Sequence, residues 1–253
     1  MTIHPSAYVS PKALVDDSAS IGPWCIVDDF AVVGENVVLE SRVHVFPDVK
    51  IGKGTRIFDG AVLGAVPQDL KFAGERTFLE IGERCVIREY ATLHRGTAST
   101  GKTSVGDDAL VMAYAHVAHD CRLGNGVVLS NAVQLAGGVQ IGERANVGGT
   151  AGVAQNCRIG AFSFVGASLK VDRDVPPYVK ALGNPLRFAG VNLHLLRKFP
   201  ERFSEDRIVE IERLYREYYH SKRPIGERAQ KMAESGDSAM LEFFSEISHP
   251  IIG

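Results

Sequence analysis

Hydrophobic residues recur along this chain every six positions. Starting at Ile3 and stepping by six, the grid meets Val9, Val15, Ile21, Val27, Val33, Leu39, Val45, Ile51, Ile57 and Leu63. It resumes in phase at Ile81, Ile87 and Leu93, and runs from Val105 through Val111, Val117, Leu123, Leu129 and Leu135 to Val171. Only Asp69, Glu75 and Ser99 break it. Four residues after most grid points comes a small residue, as at Ala7, Ala13, Ala31, Thr55, Ala91, Ala115 and Ala151. Glycine often follows the grid residue, as in Ile21-Gly22, Ile51-Gly52 and Ile141-Gly142. Neither a helical period of 3.6 nor a strand period of two produces this pattern. A hexad of β-branched residues and glycine predicts a parallel β-helix, in which three hexads close one triangular coil. The large aliphatics point into the prism and the small residues sit beside its corners.

Two interruptions, 65–80 and 96–104, leave the phase intact, so each is expected to leave the prism as a loop. Loops on a rigid scaffold are common places for function. The grid ends at Val171, and Asp174-Val175-Pro176-Pro177-Tyr178 reads as a stop. Beyond it the period turns helical. One helix is expected over Leu186–Lys198, and a second after Ser204 as N-cap, with Ile208, Ile211, Leu214, Tyr215 and Tyr218 on one face. Two shorter ones are expected over Pro224–Glu234 and Asp237–Ile247. The chain therefore divides into a mainly β domain, 1–175, and a C-terminal α-helical domain, 176–253.

Composition excludes several classes. With 45% hydrophobic and 23% charged residues the chain is globular rather than disordered. No apolar run is long enough to span a membrane, and the first residues lack the basic-then-apolar pattern of a secretory signal. A net charge of −2 gives no global field for nucleic acid. A cytoplasmic location is expected. The four cysteines, Cys25, Cys85, Cys121 and Cys157, all occupy the small position of the hexad and read as packing residues in a reducing compartment.

The segment with the most chemistry is Ala115-His116-Val117-Ala118-His119-Asp120-Cys121. Val117 and Cys121 take core positions, which leaves His116, His119 and Asp120 outside the core. One coil on from His119 lies Gly137, and one further lies Gln155. Histidine is a general base near neutral pH. Glycine lets a substrate approach the backbone, whose N–H stabilises an oxyanion. Asp120 is placed to orient the imidazole. A histidine zinc site is the rival reading: some hexapeptide-repeat proteins resemble the gamma-class carbonic anhydrases, whose pattern includes two histidines five residues apart, whereas His116 and His119 are three apart.

Several stretches resemble the bacterial acyl-[acyl-carrier-protein]–UDP-N-acetylglucosamine O-acyltransferases, hexapeptide-repeat enzymes that open lipid A synthesis. They are Pro67-Gln68-Asp69-Leu70-Lys71-Phe72-Ala73-Gly74-Glu75, Ile87-Arg88-Glu89, Thr92-Leu93-His94-Arg95-Gly96-Thr97, His116 to Cys121, Leu135-Ala136-Gly137, Asp174 to Tyr178 with Gly183-Asn184, and Gly190-Val191-Asn192. They follow the family's order over almost the whole chain. The resemblance implies a left-handed parallel β-helix and a homotrimer with active sites between subunits. It implies transfer of a 3-hydroxyacyl chain from acyl carrier protein to the sugar 3-hydroxyl, without metal or cofactor. By position, His119 resembles the general base, Asp120 its partner and the Gly137 N–H the oxyanion donor. Asp69 and Lys71 resemble substrate contacts, with Lys71 suited to phosphate. His94 and His116 resemble pocket residues, and Gln155 a nucleotide contact. Asn192, with Arg197 and Lys198, resembles a tail segment reaching a neighbouring subunit's nucleotide. Ala167 falls near the position that limits acyl length. The chain departs from the family at Gly138, at Ala154-Gln155-Asn156 and at His194. These changes keep open an N-acylating sister enzyme on an amino sugar, and a non-catalytic or metal-binding β-helix.

Overall fold

A computed structural model describes residues 2–245, 247 and 249–253. Strands of two to five residues stack into three sheets of 11, 9 and 8 strands, which form the three faces of a prism. The first face runs from Thr2–Ile3 to Arg187–Val191, the second from Tyr8–Val9 to Lys170–Val171, and the third from Leu14–Val15 to Arg158–Ile159. Successive coils pair in parallel, as Ser20 with Val38 and Ile21 with Leu39. Grid residues such as Val27, Ile57, Leu93, Val117 and Val147 are fully buried and form one continuous core. The structure is a parallel β-helix, as the hexads predict.

Each corner has its own chemistry. The residue three after most grid points has positive φ, even where it is Trp24, Tyr90, Asp120 or Phe162. This left-handed conformation turns the chain through the corner and is costly for side-chain-bearing residues. At the corner leaving the third face, the residue directly after the strand is glycine in seven successive coils, from Gly34 and Gly52 to Gly142 and Gly160. A Cβ there would come within 2.2 to 2.9 Å of its nearest neighbours, mostly backbone of the next coil. These glycines serve close stacking rather than unusual φ. At the small positions the core tolerates a polar group only when it is satisfied. Thr55 donates its hydroxyl to the Gly82 carbonyl (2.9 Å) and accepts the Cys85 N–H (3.0 Å). All four cysteines are free and buried. Burial pushes the Cys121 thiol up to about 12, which makes it a poor nucleophile and a good packing group.

Both interruptions leave the second face and re-enter the third. The first covers 66–77 rather than 65–80, because Phe78–Ile81 already pairs with Val49–Ile51 and with Lys102–Val105. The second is shorter than 96–104 for the same reason, since Lys102 begins a strand.

The prism does not stop at residue 175. Val179–Leu182 adds a parallel strand to Phe164–Val165, and Arg187–Val191 folds back antiparallel on it. The helix expected over Leu186–Lys198 is therefore mostly strand, and only Leu193–Leu196 (α1) is helical. Pairing with an open sheet end overrides the local helical pattern. The longer helix, Glu205–His220 (α2), starts where expected. The Ser204 hydroxyl accepts the Arg207 N–H, and the five expected apolar residues are buried. Ile225–Ala233 (α3) and Ser238–Phe244 (α4) follow; of the span expected for the last helix, Glu246 lies outside the described residues. The tail is locked to the prism by polar contacts. Buried Asp174 accepts from the Arg158 Nε (2.8 Å) and backbone N–H (2.8 Å), and Tyr215 donates to the Pro177 carbonyl (2.6 Å). No helix among the described residues is long and apolar enough to cross a membrane.

Candidate active site

The second face carries His116 on its outer surface, and the corner after it carries His119 and Asp120. Asp120 has φ 62°, so the corner itself turns its carboxylate back toward His119. The His119 Nδ1 and Asp120 Oδ2 are 2.8 Å apart. An ionised carboxylate only accepts, so Nδ1 holds the proton and Nε2 is left with its lone pair. The two side chains are only 12% and 6% exposed, which keeps the pair out of bulk solvent.

Three further donors hold Asp120, all from the second interruption. The Thr97 N–H donates to Oδ1 (2.9 Å), the Thr97 hydroxyl to Oδ2 (2.6 Å), and the Thr100 hydroxyl to Oδ1. The Asp120 N–H donates to buried Thr103 (2.9 Å). Burial alone would raise the carboxyl pKa, but the bonds from His119, Thr100 and Thr97 outweigh it and hold it below the ordinary range. Thr97 closes the Thr92–Thr97 motif, whereas Thr100 carries no signal by itself and reaches Asp120 only when the loop folds over the corner. Thr103 lies in the strand Lys102–Val105, one coil before Cys121, so the eighteen-residue step places it under this corner.

Val117 pairs with Leu135, so Gly137 stacks directly on His119. A Cβ on Gly137 would lie 2.4 Å from the ring Cε1 and 2.5 Å from Nε2. The bare Cα is what lets the imidazole lie across this corner. Ala136 and Gly138 donate to the Val153 and His119 carbonyls, whereas no backbone acceptor among the described residues takes the Gly137 N–H. That donor is available to an incoming oxygen. Gln155 stacks one coil further on and is exposed. Gly138 has φ +72°, and the Asn156 Oδ1 would stand 2.2 Å from its Cβ. The Asn156 carboxamide thus occupies the space that a side chain at 138 would need.

His94 and His116 complete the cluster. Their rings meet edge to face at 4.8 Å, and Thr92 Oγ1 lies 2.7 Å from the His116 Nδ1. Burial, with His116 and His119 nearby, pushes the His94 pKa down to about 4, and among the described residues its Nδ1 has no hydrogen-bond partner. His116 is lowered too, by burial and then by His119. Both rings are therefore neutral at physiological pH. Among the described residues no three His, Cys, Asp or Glu side chains are arranged to hold a metal ion.

The first loop starts beside this cluster, where Ala65 pairs with His94. Within it the Asp69 carboxylate accepts the Lys71 N–H (2.9 Å) and its carbonyl accepts the Phe72 N–H (3.0 Å). This turn presents Lys71 to solvent.

The remaining candidates are not brought to His119 within one chain. Asn192 is 7% exposed and its Nδ2 donates to the Phe162 carbonyl (3.0 Å), so its amide is engaged in joining tail to prism. Arg197 is exposed and paired with Glu205 (2.9 Å); Lys198 and His194 are exposed beside it. Ala167 is exposed on the corner that enters the second face, three coils beyond His119 and at the opposite edge of that face.

Solved structures match this chain from end to end. The UDP-N-acetylglucosamine O-acyltransferase of Moraxella catarrhalis is 37% identical, with a TM-score of 0.95 and 100% of both chains covered. The chain belongs to the UDP-N-acetylglucosamine O-acyltransferase family. The UDP-N-acetylglucosamine acyltransferase of Francisella novicida is 34% identical over 99% of this chain and 94% of its own, with a TM-score of 0.94. The Arabidopsis acyltransferase of that name is 30% identical over 99% and 100%, with a TM-score of 0.84. A family model described as UDP N-acetylglucosamine O-acyltransferase, domain 2, matches residues 174–252, and a bacterial transferase hexapeptide model matches residues 102–137. The left-handed hexapeptide β-helix with C-terminal helices is the acyltransferase architecture.

Proposed function

We propose that this acyltransferase moves a 3-hydroxyacyl chain from the thioester of acyl carrier protein to the 3-hydroxyl of UDP-N-acetylglucosamine. The observation that carries the mechanism is the stacking of Gly137 on a His119 whose Nδ1 is engaged by Asp120. His119 Nε2 takes the proton from the sugar hydroxyl as its oxygen attacks the thioester carbonyl. The Gly137 N–H donates to the oxyanion of the tetrahedral intermediate. The intermediate collapses with loss of the carrier thiolate, to which the His119 imidazolium returns the proton. Asp120 holds the tautomer and supports the transient positive charge. No covalent enzyme intermediate, metal or cofactor enters these steps.

Lys71, on the turn closed by Asp69, is the proposed phosphate contact. Neutral His94 and His116 line the sugar pocket, and Gln155 contacts the nucleotide. Arg197 and Lys198, together with the Asn192 segment, serve a neighbouring subunit's nucleotide in a homotrimer. This reading accounts for their distance from His119 in one chain. Ala167 limits acyl length. In this reading residues 1–175 supply the reaction and 176–253 help receive the carrier, in the cytoplasm. The tail has 12 Lys or Arg against 11 Asp or Glu, so any basic surface for an acidic carrier is made by folding, not by composition. The relative from Moraxella catarrhalis carries the O-acyltransferase name, which favours a hydroxyl over an amine as acceptor.

The test is His119→Ala, assayed with UDP-N-acetylglucosamine and acyl-carrier thioester. Loss of the base is expected to cost about 10²- to 10⁴-fold in rate. A near wild-type rate would sink the assignment.

A further inference from the structure

The two interruptions of the hexad grid are far apart in their chemistry but joined in space by one carboxylate. Glu75, in the first loop, accepts the Ala73 N–H on Oε2 (2.8 Å) and the Ala98 N–H on Oε1 (3.0 Å). Ala98 belongs to the second loop and directly follows Thr97. A second tie runs beside it, from the buried Thr77 hydroxyl to the Gly96 carbonyl (2.6 Å) and from the Gly96 N–H to the Phe78 carbonyl (3.1 Å). Thr97 in turn donates both its N–H and its hydroxyl to Asp120, which engages His119. An unbroken path of hydrogen bonds and one peptide unit therefore runs from the Asp69–Lys71 loop to the imidazole.

We propose that Glu75 is a positioning residue that couples the Asp69–Lys71 loop to the His119–Asp120 pair. The proposal rests on His119 being the base. Glu75 touches neither His119 nor Asp120. Its two oxygens hold one N–H from each loop, so a movement of the first loop is delivered to Thr97 and then to Asp120. Seating the nucleotide phosphates on Lys71 would steady the first loop, and that restraint would be passed through Glu75 and Thr97 to Asp120. A misplacement of about 1 Å at the end of such a path is worth on the order of 10²-fold in rate.

The test compares Glu75→Ala, Glu75→Gln, Thr97→Val and the Glu75→Ala/Thr97→Val double variant in the full chain. Steady-state kinetics with UDP-N-acetylglucosamine and acyl-carrier thioester are measured alongside amide hydrogen exchange at Thr97 in the free protein. Glu75→Ala is expected to lower kcat about tenfold while KM for the sugar nucleotide moves less than about threefold, the split that marks an effect on the transition state. Glu75→Gln, whose single amide oxygen can accept the Ala98 N–H but sets an NH2 group against the Ala73 N–H, is expected to recover only part of that loss. The double variant is expected to lose less than the two single losses combined, because neighbours on one path are not additive and valine still offers its N–H to Asp120. Thr97 exchange is expected to quicken about tenfold in Glu75→Ala, since it reports local opening of the second loop.

Unchanged kcat, a change confined to KM, additive losses in the double variant, or unchanged Thr97 exchange would each overturn the coupling. If Glu75→Ala does not fold, a lowered kcat with quickened Thr97 exchange in Glu75→Gln supports the proposal, and wild-type-like kinetics with unchanged exchange overturn it. If the wild-type protein transfers no acyl group to this sugar, the functional reading fails. The exchange measurement then still decides the coupling.

Discussion

Gly137→Ala isolates the geometry of the proposed base from the fold around it. The new Cβ would stand 2.4 Å from the His119 Cε1 and 2.5 Å from Nε2. Carbon atoms in favourable contact lie at roughly 3.5–4.0 Å, so the ring must yield by about 1 Å or swing away from Asp120. The substituted residue keeps its N–H, so the oxyanion donor survives and only ring placement changes. The φ of Gly137 lies outside the left-handed region, so alanine costs nothing in backbone strain. Overpacking costs about 1–3 kcal/mol, and the loss of unfolded-chain freedom offsets about 0.4–1 kcal/mol of it. The expected result is a folded protein whose Tm falls by at most several degrees, as the remaining loss of roughly 0–2.6 kcal/mol implies in a chain of this size. Its acyl transfer should be slower by about 10²-fold. The assay is product formation from UDP-N-acetylglucosamine and acyl-carrier thioester, run beside thermal unfolding. A rate within about threefold of wild type would refute the reasoning that Gly137 is glycine to admit the imidazole. So would a variant that fails to fold, because the ring would then not be the part that yields.

His94, whose pKa lies near 4 against 6.5 for the free side chain, makes the fold sensitive to acid. The unfolded chain takes up this proton first, so its contribution is complete above about pH 6.5 and is lost as pH falls toward 4. His94→Phe, which also removes the unpartnered Nδ1, is expected to flatten the fall of Tm over that window; parallel curves would contradict it. Ala167→Met is expected to shift the acyl-chain preference toward shorter donors, measured by competition between thioesters; an unchanged ranking would remove Ala167 from that role. Static light scattering at micromolar concentration is expected to give the mass of three chains, and a monomer would count against a cleft shared between subunits.

The prism was legible because its signal is periodic and repeated in every coil. Ile57, Leu93 and Val147 announce the same position again and again, and the core buries each of them. His119, Asp120 and Gly137 were legible for a related reason, since a fixed step of one coil converts sequence distance into contact. What escaped lay where that rule lapses. Thr100 reaches Asp120 only because the second interruption folds back over the corner, a path no period describes. The pattern of Arg187–Val191 suits helix and strand alike, and the open end of the first face decides for strand. Asn192 was placed by likeness to a motif, whereas the structure shows its amide already engaged by the Phe162 carbonyl.

The two loops also bear on how the chain finds its fold. Most strands pair with one eighteen residues away, as Ser20 does with Val38, so the prism can grow coil by coil like a zipper. Only at the excursions is the interval longer. Arg56 pairs with Val86, thirty residues on, and Val86 with Leu110, twenty-four on. Because closure entropy grows only with the logarithm of loop length, these longer intervals cost roughly 0.5 and 0.3 kcal/mol more than an ordinary coil. Less than about 1 kcal/mol of closure entropy therefore separates a bare prism from one carrying both chemical loops. The lengths of those loops therefore weigh little on whether the prism closes, and what their residues order is the site rather than the scaffold.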